Sequence, residues 1–252
     1  MNLVSIVIPA RNEELNIEDT VLGIQQEFDK EMLNFEIIVV NDNSKDKTVD
    51  VLKRVHEKDA RICVVNNQPP FGFGNAIKRG LEEFKGDYVI IAMADSSDDP
   101  KDMVSYIQEA RKGYDCCFGD RWHKGVTVEN YPAFKKALNR MVNGGIGFLF
   151  GLKYHDITNA FKCYSRETIQ GIKPILSHHF NITVELPLKA IVRGYSYSIV
   201  PTSWRERRRG KTSLKLQEMG SRYSFIILYV WLEKMLCGED YRKKNKDSTG
   251  KT

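Results

Sequence analysis

The chain has 252 residues, 42% hydrophobic and 28% charged, which is enough to enclose one substantial core. A formal net charge of +5 is modest and largely localised, and no helix-turn-helix, zinc-finger or aromatic-interleaved context points to nucleic acid. Five cysteines, Cys63, Cys116, Cys117, Cys163 and Cys237, form no CxxC pair, which argues against a disulfide framework or structural zinc site.

In chain order, "LVSIVIP", "FEIIVVND", "ARICVVNN" and "DYVIIAMAD" are short β-branched runs, each ending in polar residues. Helical patterns over Glu13–Phe28, Asp46–Glu57 and Gly74–Phe84 separate them, and Pro100 opens a fourth helix before the strand "YDCCFG". Nearly continuous apolar strands joined by crossover helices predict an α/β fold, a mostly parallel central sheet flanked by helices, with ligands at the carboxyl ends of its strands. After Gly119 the rhythm changes. "VENYPAFKKALNRMVNGGIGFLFG" reads as a helix, "YHDITNAFKCYSRETI" as loop, and "HFNITVELPLKAIVRGY" as a helix despite its proline. "SYSIVPTSW" reads as a strand, followed by the basic "RERRRGK" and a helix from about Leu214 to Leu236. The opening "MNLVSIVIPA" lacks the basic flank of a signal peptide, and "FIILYVWL" falls far short of the ~20 residues that span a bilayer. The expectation is a cytoplasmic protein, with peripheral contact on the cytoplasmic face of a membrane left open.

Four stretches carry chemistry. In "ADSSDDP" an apolar strand runs into Asp95, Asp98 and Asp99. A helix cap accounts for one of these carboxylates; crowded at a strand end, together they fit a hard cation, Mg²⁺ or Mn²⁺. In "VVNDNSKDKT", Ser44 or Asp46 can cap the next helix, while Asp42 is placed to accept hydrogen bonds from a nucleoside. The G-x-G of "PPFGFGNA" follows the third strand and lacks the third glycine of a dinucleotide fingerprint, and no P-loop is present. "SWRERRRGKTSLK" gathers Arg205, Arg207, Arg208, Arg209, Lys211 and Lys215 as a phosphate-binding loop, with solvated surface as the bland alternative.

In that order, "SIVIPARNEE", "VVNDNSKDKT", "FGFGNAIKRGLEEFKGDYVIIAMADSSDDP", "FGDRW", "DITNAFKCYSRE", "VEL" and "VPTSWRERRRGKTSLK" resemble family 2 glycosyltransferases. They look most like dolichyl-phosphate mannosyltransferase and bacterial undecaprenyl-phosphate sugar transferases. The resemblance implies a GT-A nucleotide-diphospho-sugar transferase fold over 1–212. Residues 213–238 are then an apolar helix at an interface, and 239–252 a polar tail without fixed structure. It implies that Pro9, Ala10, Arg11, Glu13, Asp42, Asn75, Ala94, Asp95, Ser96 and Lys211 bind the nucleotide sugar, and that Asp98, Arg121, Asp156 and Arg207 are catalytic. The usual metal run "MDADLQHPPE" is here "MADSSDDPKD", which leaves Asp95, Asp98 and Asp99 as the metal ligands.

The implied reaction is an inverting, metal-dependent transfer from GDP-mannose or a UDP-hexose to a dolichyl or undecaprenyl phosphate. A dianionic phosphate attacks without a protein base; a hydroxyl acceptor needs one. Asp156 is the candidate base, or else it positions Arg166 or Arg207. The implied partners are the donor, a polyprenyl phosphate, a peripheral membrane contact or integral membrane protein, and a second copy of the chain. Two alternatives stand beside this: a soluble family 2 enzyme elongating a cell-surface saccharide, and an inactive nucleotide-sugar-binding or scaffold protein.

Overall fold

The computed structural model describes residues 3–206 and 216–243, the side chains of 216–219 excepted. In chain order the elements are β1 (Val4–Ala10), α1 (Ile17–Lys30), β2 (Phe35–Asn41), α2 (Thr48–Lys58), β3 (Ile62–Asn66), α3 (Phe73–Glu83), β4 (Tyr88–Ile91), α4 (Pro100–Arg111) and β5 (Cys116–Asp120). There follow β6 (Val128–Glu129), α5 (Ala133–Phe150), β7 (Lys162–Ser165), α6 (Arg166–Gly171), α7 (Ile182–Val192), β8 (Tyr197–Pro201), β9 (Trp204–Arg205) and α8 (Leu216–Leu236).

The principal sheet has seven strands in the order β3-β2-β1-β4-β7-β5-β8. All neighbours are parallel except β7, which runs antiparallel to both β4 and β5. The expected mostly parallel α/β sheet is present. The reading of "YHDITNAFKCYSRETI" as loop is corrected, because its middle forms β7 and its end forms α6. Only four residues pair, a run too short and too polar at Lys162 to announce a strand by periodicity.

Alternation along the strands loads both faces of the sheet. Val4, Ile6, Ile8, Phe35, Ile37 and Val39 join one buried cluster with the inner sides of α1, α2 and α4. Val7, Ile38 and Val40 join a second with α3, α5, α7 and α8. The helices approach closely. A Cβ built at Gly80 of α3 would sit 2.3 Å from Val7 Cγ1, so only glycine lets that helix lie on the sheet. The G-x-G motif is explained the same way: Cβ atoms at Gly72 and Gly74 would fall 2.7 Å from backbone atoms of His178 and His179.

The last helix is fastened to the domain. Ile226 and Val230 are fully buried, and Glu233 pairs with Arg193 through Nε (2.7 Å) and Nη2 (2.9 Å). Phe148 of α5 (92% exposed) and Phe225, Leu228, Met235 and Leu236 of α8 face outward. Residues 239–243, expected to lie in a tail without fixed structure, contact the domain: Lys243 Nζ lies 2.7 Å from Asp115 Oδ1. Among the described residues no helix is long and apolar enough to cross a membrane.

Replacing Gly80 with alanine overpacks the α3–sheet contact and should destabilise the protein by about 1–3 kcal/mol, read from urea unfolding. An unchanged midpoint would show that α3 shifts at no cost.

Candidate active site

The polar residues expected to converge at the carboxyl ends of the strands do so. Pro9 and Ala10 close β1 in the sheet, and Arg11 reaches back so that Nη1 lies 3.8 Å from Asp42 Oδ2. Asp42, 3% exposed, accepts from Asn67 Nδ2 (2.7 Å) and from the Gly72 amide (3.1 Å). Glu13 holds the turn, its amide donating to Thr48 Oγ1 (2.8 Å) and its Oε2 accepting from Asn16 (2.9 Å). Neither Ser44 nor Asp46 stands at the N-cap of α2, which is Lys47. Ser44 Oγ instead accepts from the Asn12 amide, and Asp46 from the Glu14 and Thr48 amides, stitching the two strand-end turns together. Asn75 is engaged at both ends of its amide, by Pro70 O (2.6 Å) and His178 Nδ1 (2.8 Å), and braces the start of α3.

After β4 the chain turns sharply through Ala94, Asp95 and Ser96. Ser96 has φ +58°, and its hydroxyl lies 2.7 Å from Thr20 Oγ1. Asn12 and Asn43 hold the same left-handed conformation after β1 and β2 (φ +57° and +58°). Three adjacent strands thus turn through left-handed residues, a conformation uncommon outside glycine and best tolerated by asparagine.

The acidic run divides its duties. Asp99 is the N-cap of α4, its Oδ1 accepting from the Lys101 amide (3.0 Å) with Pro100 in the first turn. The cap occupies one oxygen of Asp99 and gives it a structural duty beside the expected one as third metal ligand. Asp95 and Asp98 are both 9% exposed. Asp95 Oδ1 accepts from the Ser97 amide (3.2 Å), and Asp98 Oδ2 from the Met93 amide (2.8 Å). Burial pushes the Asp98 carboxyl up to about 7; the Met93 N–H opposes this, Asp95 adds to it and Arg121 opposes it.

Among the described residues no three Asp, Glu, His or Cys side chains gather into a complete metal cage. Two carboxylates suffice for a different kind of site. Mg²⁺ characteristically takes one or two carboxylates and completes its shell with substrate phosphates and water. A buried, charge-costly pair at a strand end fits such a shared cation.

Opposite this pair stands Arg121, directly after β5. Its guanidinium grips Asp156 in a fork, Nε to Oδ2 and Nη2 to Oδ1, both 2.8 Å, and its amide adds a bond of 3.1 Å to Oδ2. Asp156 is fully buried, and both its oxygens serve Arg121. It therefore aims Arg121, not Arg166, which donates instead to Phe84 O and Gly86 O. A role as general base finds no support in this geometry.

Around Arg121 lies a group that the sequence reading missed. Trp122 Nε1 donates to Asn139 Oδ1 (3.1 Å) on α5, and Tyr131 packs edge-on against both Trp122 and Trp204. Lys136 Nζ and Arg140 Cζ lie 5.3 and 6.0 Å from the Trp122 ring centroid. Aromatic and basic residues at helical spacing in "YPAFKKALNR" were the available signal. Trp204 reaches the site through its bridge to Asp98. Arg207 and Lys211, with the rest of the basic loop up to residue 215, lie outside the described residues.

Residues 5–172 match glycosyl transferase family 2. The chain belongs to that family. It is a glycosyltransferase by class, and its sheet order and flanking helices are the GT-A architecture that the sequence implied. It is 30% identical over 217 residues to dolichol-phosphate mannosyltransferase of Pyrococcus furiosus, covering 84% of this chain and 59% of that protein. It is 27% identical over 234 residues to glycosyltransferase AglD of Haloferax volcanii, covering 90% of this chain and 37% of that protein. The family 2 chain thus spans little more than half of one relative and about a third of the other, and their whole-protein activities do not transfer to it.

Among solved structures, glucosyl-3-phosphoglycerate synthase of Mycobacterium tuberculosis in complex with phosphoglyceric acid shares the fold (TM-score 0.69, 18% identity, 92% of this chain and 80% of that one). Other structures of that synthase hold uridine diphosphate with Mg²⁺, or UDP-glucose with Mn²⁺ and phosphoglyceric acid. This corrects the expected acceptor, while the kinship in sequence stays nearer to dolichol-phosphate mannosyltransferase, at 30%, than to this synthase, at 18%, whose structures show the fold. The matched structures belong to an enzyme solved with a small phosphorylated acid, not a lipid. The expected dolichyl or undecaprenyl phosphate acceptor, integral membrane partner and membrane association are withdrawn.

Asp99 and Asp98 should separate by experiment. D99A should cost about 1 kcal/mol of stability through the lost cap and leave Mn²⁺-dependent nucleotide binding intact. D98N should weaken that binding at least tenfold by calorimetry. Equal loss of binding in both variants would return Asp99 to the ligand set.

Proposed function

We propose that this family 2 glycosyltransferase moves a hexose from a UDP-sugar to a small, water-soluble acceptor that carries an anionic group, with Mg²⁺ or Mn²⁺ as cofactor. The observation that carries the reading is the division of charge at the strand ends. Buried Asp42, Asp95 and Asp98 line one side, and Arg121, locked by Asp156 and flanked by Lys136 and Arg140, lines the other. The sides are close enough for Arg121 to lower the Asp98 carboxyl's affinity for its proton.

The acidic side suits a donor. Asp42, braced by Asn67 and Gly72, offers acceptor oxygen to a nucleoside, and Asp95 and Asp98 would hold the cation against the diphosphate. When bound, the cation offsets charge on the departing diphosphate. Transfer breaks the bond between the anomeric carbon and the diphosphate oxygen and forms one to an acceptor hydroxyl oxygen, whose proton passes to the departing diphosphate or to water, because both Asp156 oxygens are held by Arg121. Arg121 is pre-aimed and mostly desolvated, so its charge acts there without reorganisation. The basic side suits a phosphate or carboxylate on the acceptor, since arginine forks and ammonium groups both bind such anions. The solved synthase, with UDP-glucose and phosphoglyceric acid on the same fold, supports this pairing of donor and acceptor class. The reading agrees with the soluble-enzyme alternative above in its soluble acceptor.

UDP-glucose, Mn²⁺ and phosphoglyceric acid supply the test. Mass spectrometry should detect hexosylated acceptor and released UDP, EDTA should abolish both, and R121A should slow turnover about 100-fold or more. The proposal fails if calorimetry finds no metal-dependent UDP affinity, or if R121A retains near-wild-type turnover.

A further inference from the structure

Lys162 is a buried ionisable side chain that the mechanism above leaves unused. Lys162 opens β7, in register with Ile91 of β4 and Phe118 of β5, and is 1% exposed. Burying an amine in a sheet is costly, and methionine would fill similar space without that cost. What the amine does is specific. Its Nζ donates to Ile157 O (2.9 Å) and to Asn159 O, the carbonyls of the turn that begins at Asp156.

The same turn is tied down elsewhere. The Tyr154 hydroxyl lies 2.7 Å from both Gly119 O and Asp156 O, and the Thr158 amide donates to Asn143 Oδ1 (3.1 Å). Those bonds hold the turn at its first and third residues, and Lys162 holds its second and fourth. Without Lys162, two buried carbonyls lose their donor. Burial lowers the amine to about 7, against Asp156, which raises it, while Arg121 lowers it further. A neutral amine has two N–H groups, matching two carbonyls.

We propose that Lys162 is a positioning residue: by clamping the carbonyls of Ile157 and Asn159 it fixes the turn that points Asp156 at Arg121. This rests on the role given to Arg121 above, so the decisive readout avoids substrates. Phenylglyoxal labelling of arginines, followed by peptide mass spectrometry, reports how firmly each guanidinium is held. Arg193, buried in its own pair with Glu233, serves as the internal control.

K162M should speed labelling of Arg121 by about tenfold, the scale of losing an outer partner that orients a site residue, and leave Arg193 unchanged. D156N should do the same, and the double variant should add little to either, because the two residues act in series. With UDP-glucose and phosphoglyceric acid, K162M should lower kcat while UDP–Mn²⁺ affinity holds, and K162Q, which keeps two N–H donors, should recover part of the loss. Unchanged Arg121 labelling, a parallel rise at Arg193, or additive effects in the double variant would overturn the proposal. So would K162M and K162Q both failing to give a cooperative melt, which would assign Lys162 to the core alone. A wild-type enzyme silent towards these substrates would count against the functional reading, while the labelling would still judge Lys162.

Discussion

One antiparallel strand governs the layout of the site. In an all-parallel sheet, β4 and β5 would be neighbours and their following turns would diverge into separate crossovers. Here β7 lies between them and runs the other way, with Lys162 opposite both Ile91 and Phe118. Its incoming turn, residues 156–161, therefore lands at the edge where β4 releases Asp95 and Asp98 and β5 releases Arg121. The Arg121–Asp156 fork is possible because that turn arrives there. An aspartate so deeply buried would be untenable alone; paired and bonded at both oxygens, it becomes a rigid mount for the arginine.

The two halves of the site are built on opposite principles. On the acidic side, turns are held by strained residues and by one another. Asn12, Asn43 and Ser96 sit in the left-handed region, and Ser44, Asp46 and Thr20 cross-link the turns by side-chain bonds. Each left-handed residue costs on the order of 1 kcal/mol, offset by the packing that enforces it. The result buries Asp95 and Asp98 at one strand end, where burial raises the proton affinity of Asp98, and a cation there would favour its charged form. On the basic side the charge is already compensated within the protein, and an anion gains from Lys136 and Arg140 around an aromatic floor.

This contrast explains what the sequence disclosed. Strands β1 to β5 and helices α1 to α4 were legible because apolar runs of four or more residues alternate with amphipathic stretches of period near 3.6. The placement of the buried Asp42, Asp95 and Asp98 near strand ends was legible because polar residues follow each apolar run there. A cap and a ligand look alike in sequence at Asp99, and the Lys101 amide reveals the cap. Strand β7 was invisible, since four residues with a lysine at the first position carry no period. The pairing of Asp156 with Arg121 escaped the sequence, because pairing between positions 35 apart depends on a strand order that no local pattern encodes. The aromatic and basic group around Trp122 was missed for the same reason: its members come from the ends of β5 and β8, from Tyr131 before α5 and from α5 itself, and only the fold unites them.

The C-terminal helix shows how far the domain extends. Its outward apolar residues invited a reading as an appendage, yet its inner side carries the charge pair that α7 needs. Arg193 is 2% exposed and uses three nitrogens, two on Glu233 and one on the carbonyls of Gly171 and Lys173. A guanidinium buried so completely would be destabilising by about 3–5 kcal/mol if its carboxylate were removed. The carboxylate belongs to α8, so α7 cannot keep Arg193 inside unless α8 is docked. Lys243 continues the lock, its amide on Arg193 O (2.7 Å) and its ammonium on Asp115 immediately before β5. The strand that delivers Arg121 to the site is thereby bound, at its far end, to the residues that follow α8. The unit that shapes the site therefore runs to residue 243, beyond the end of the basic loop.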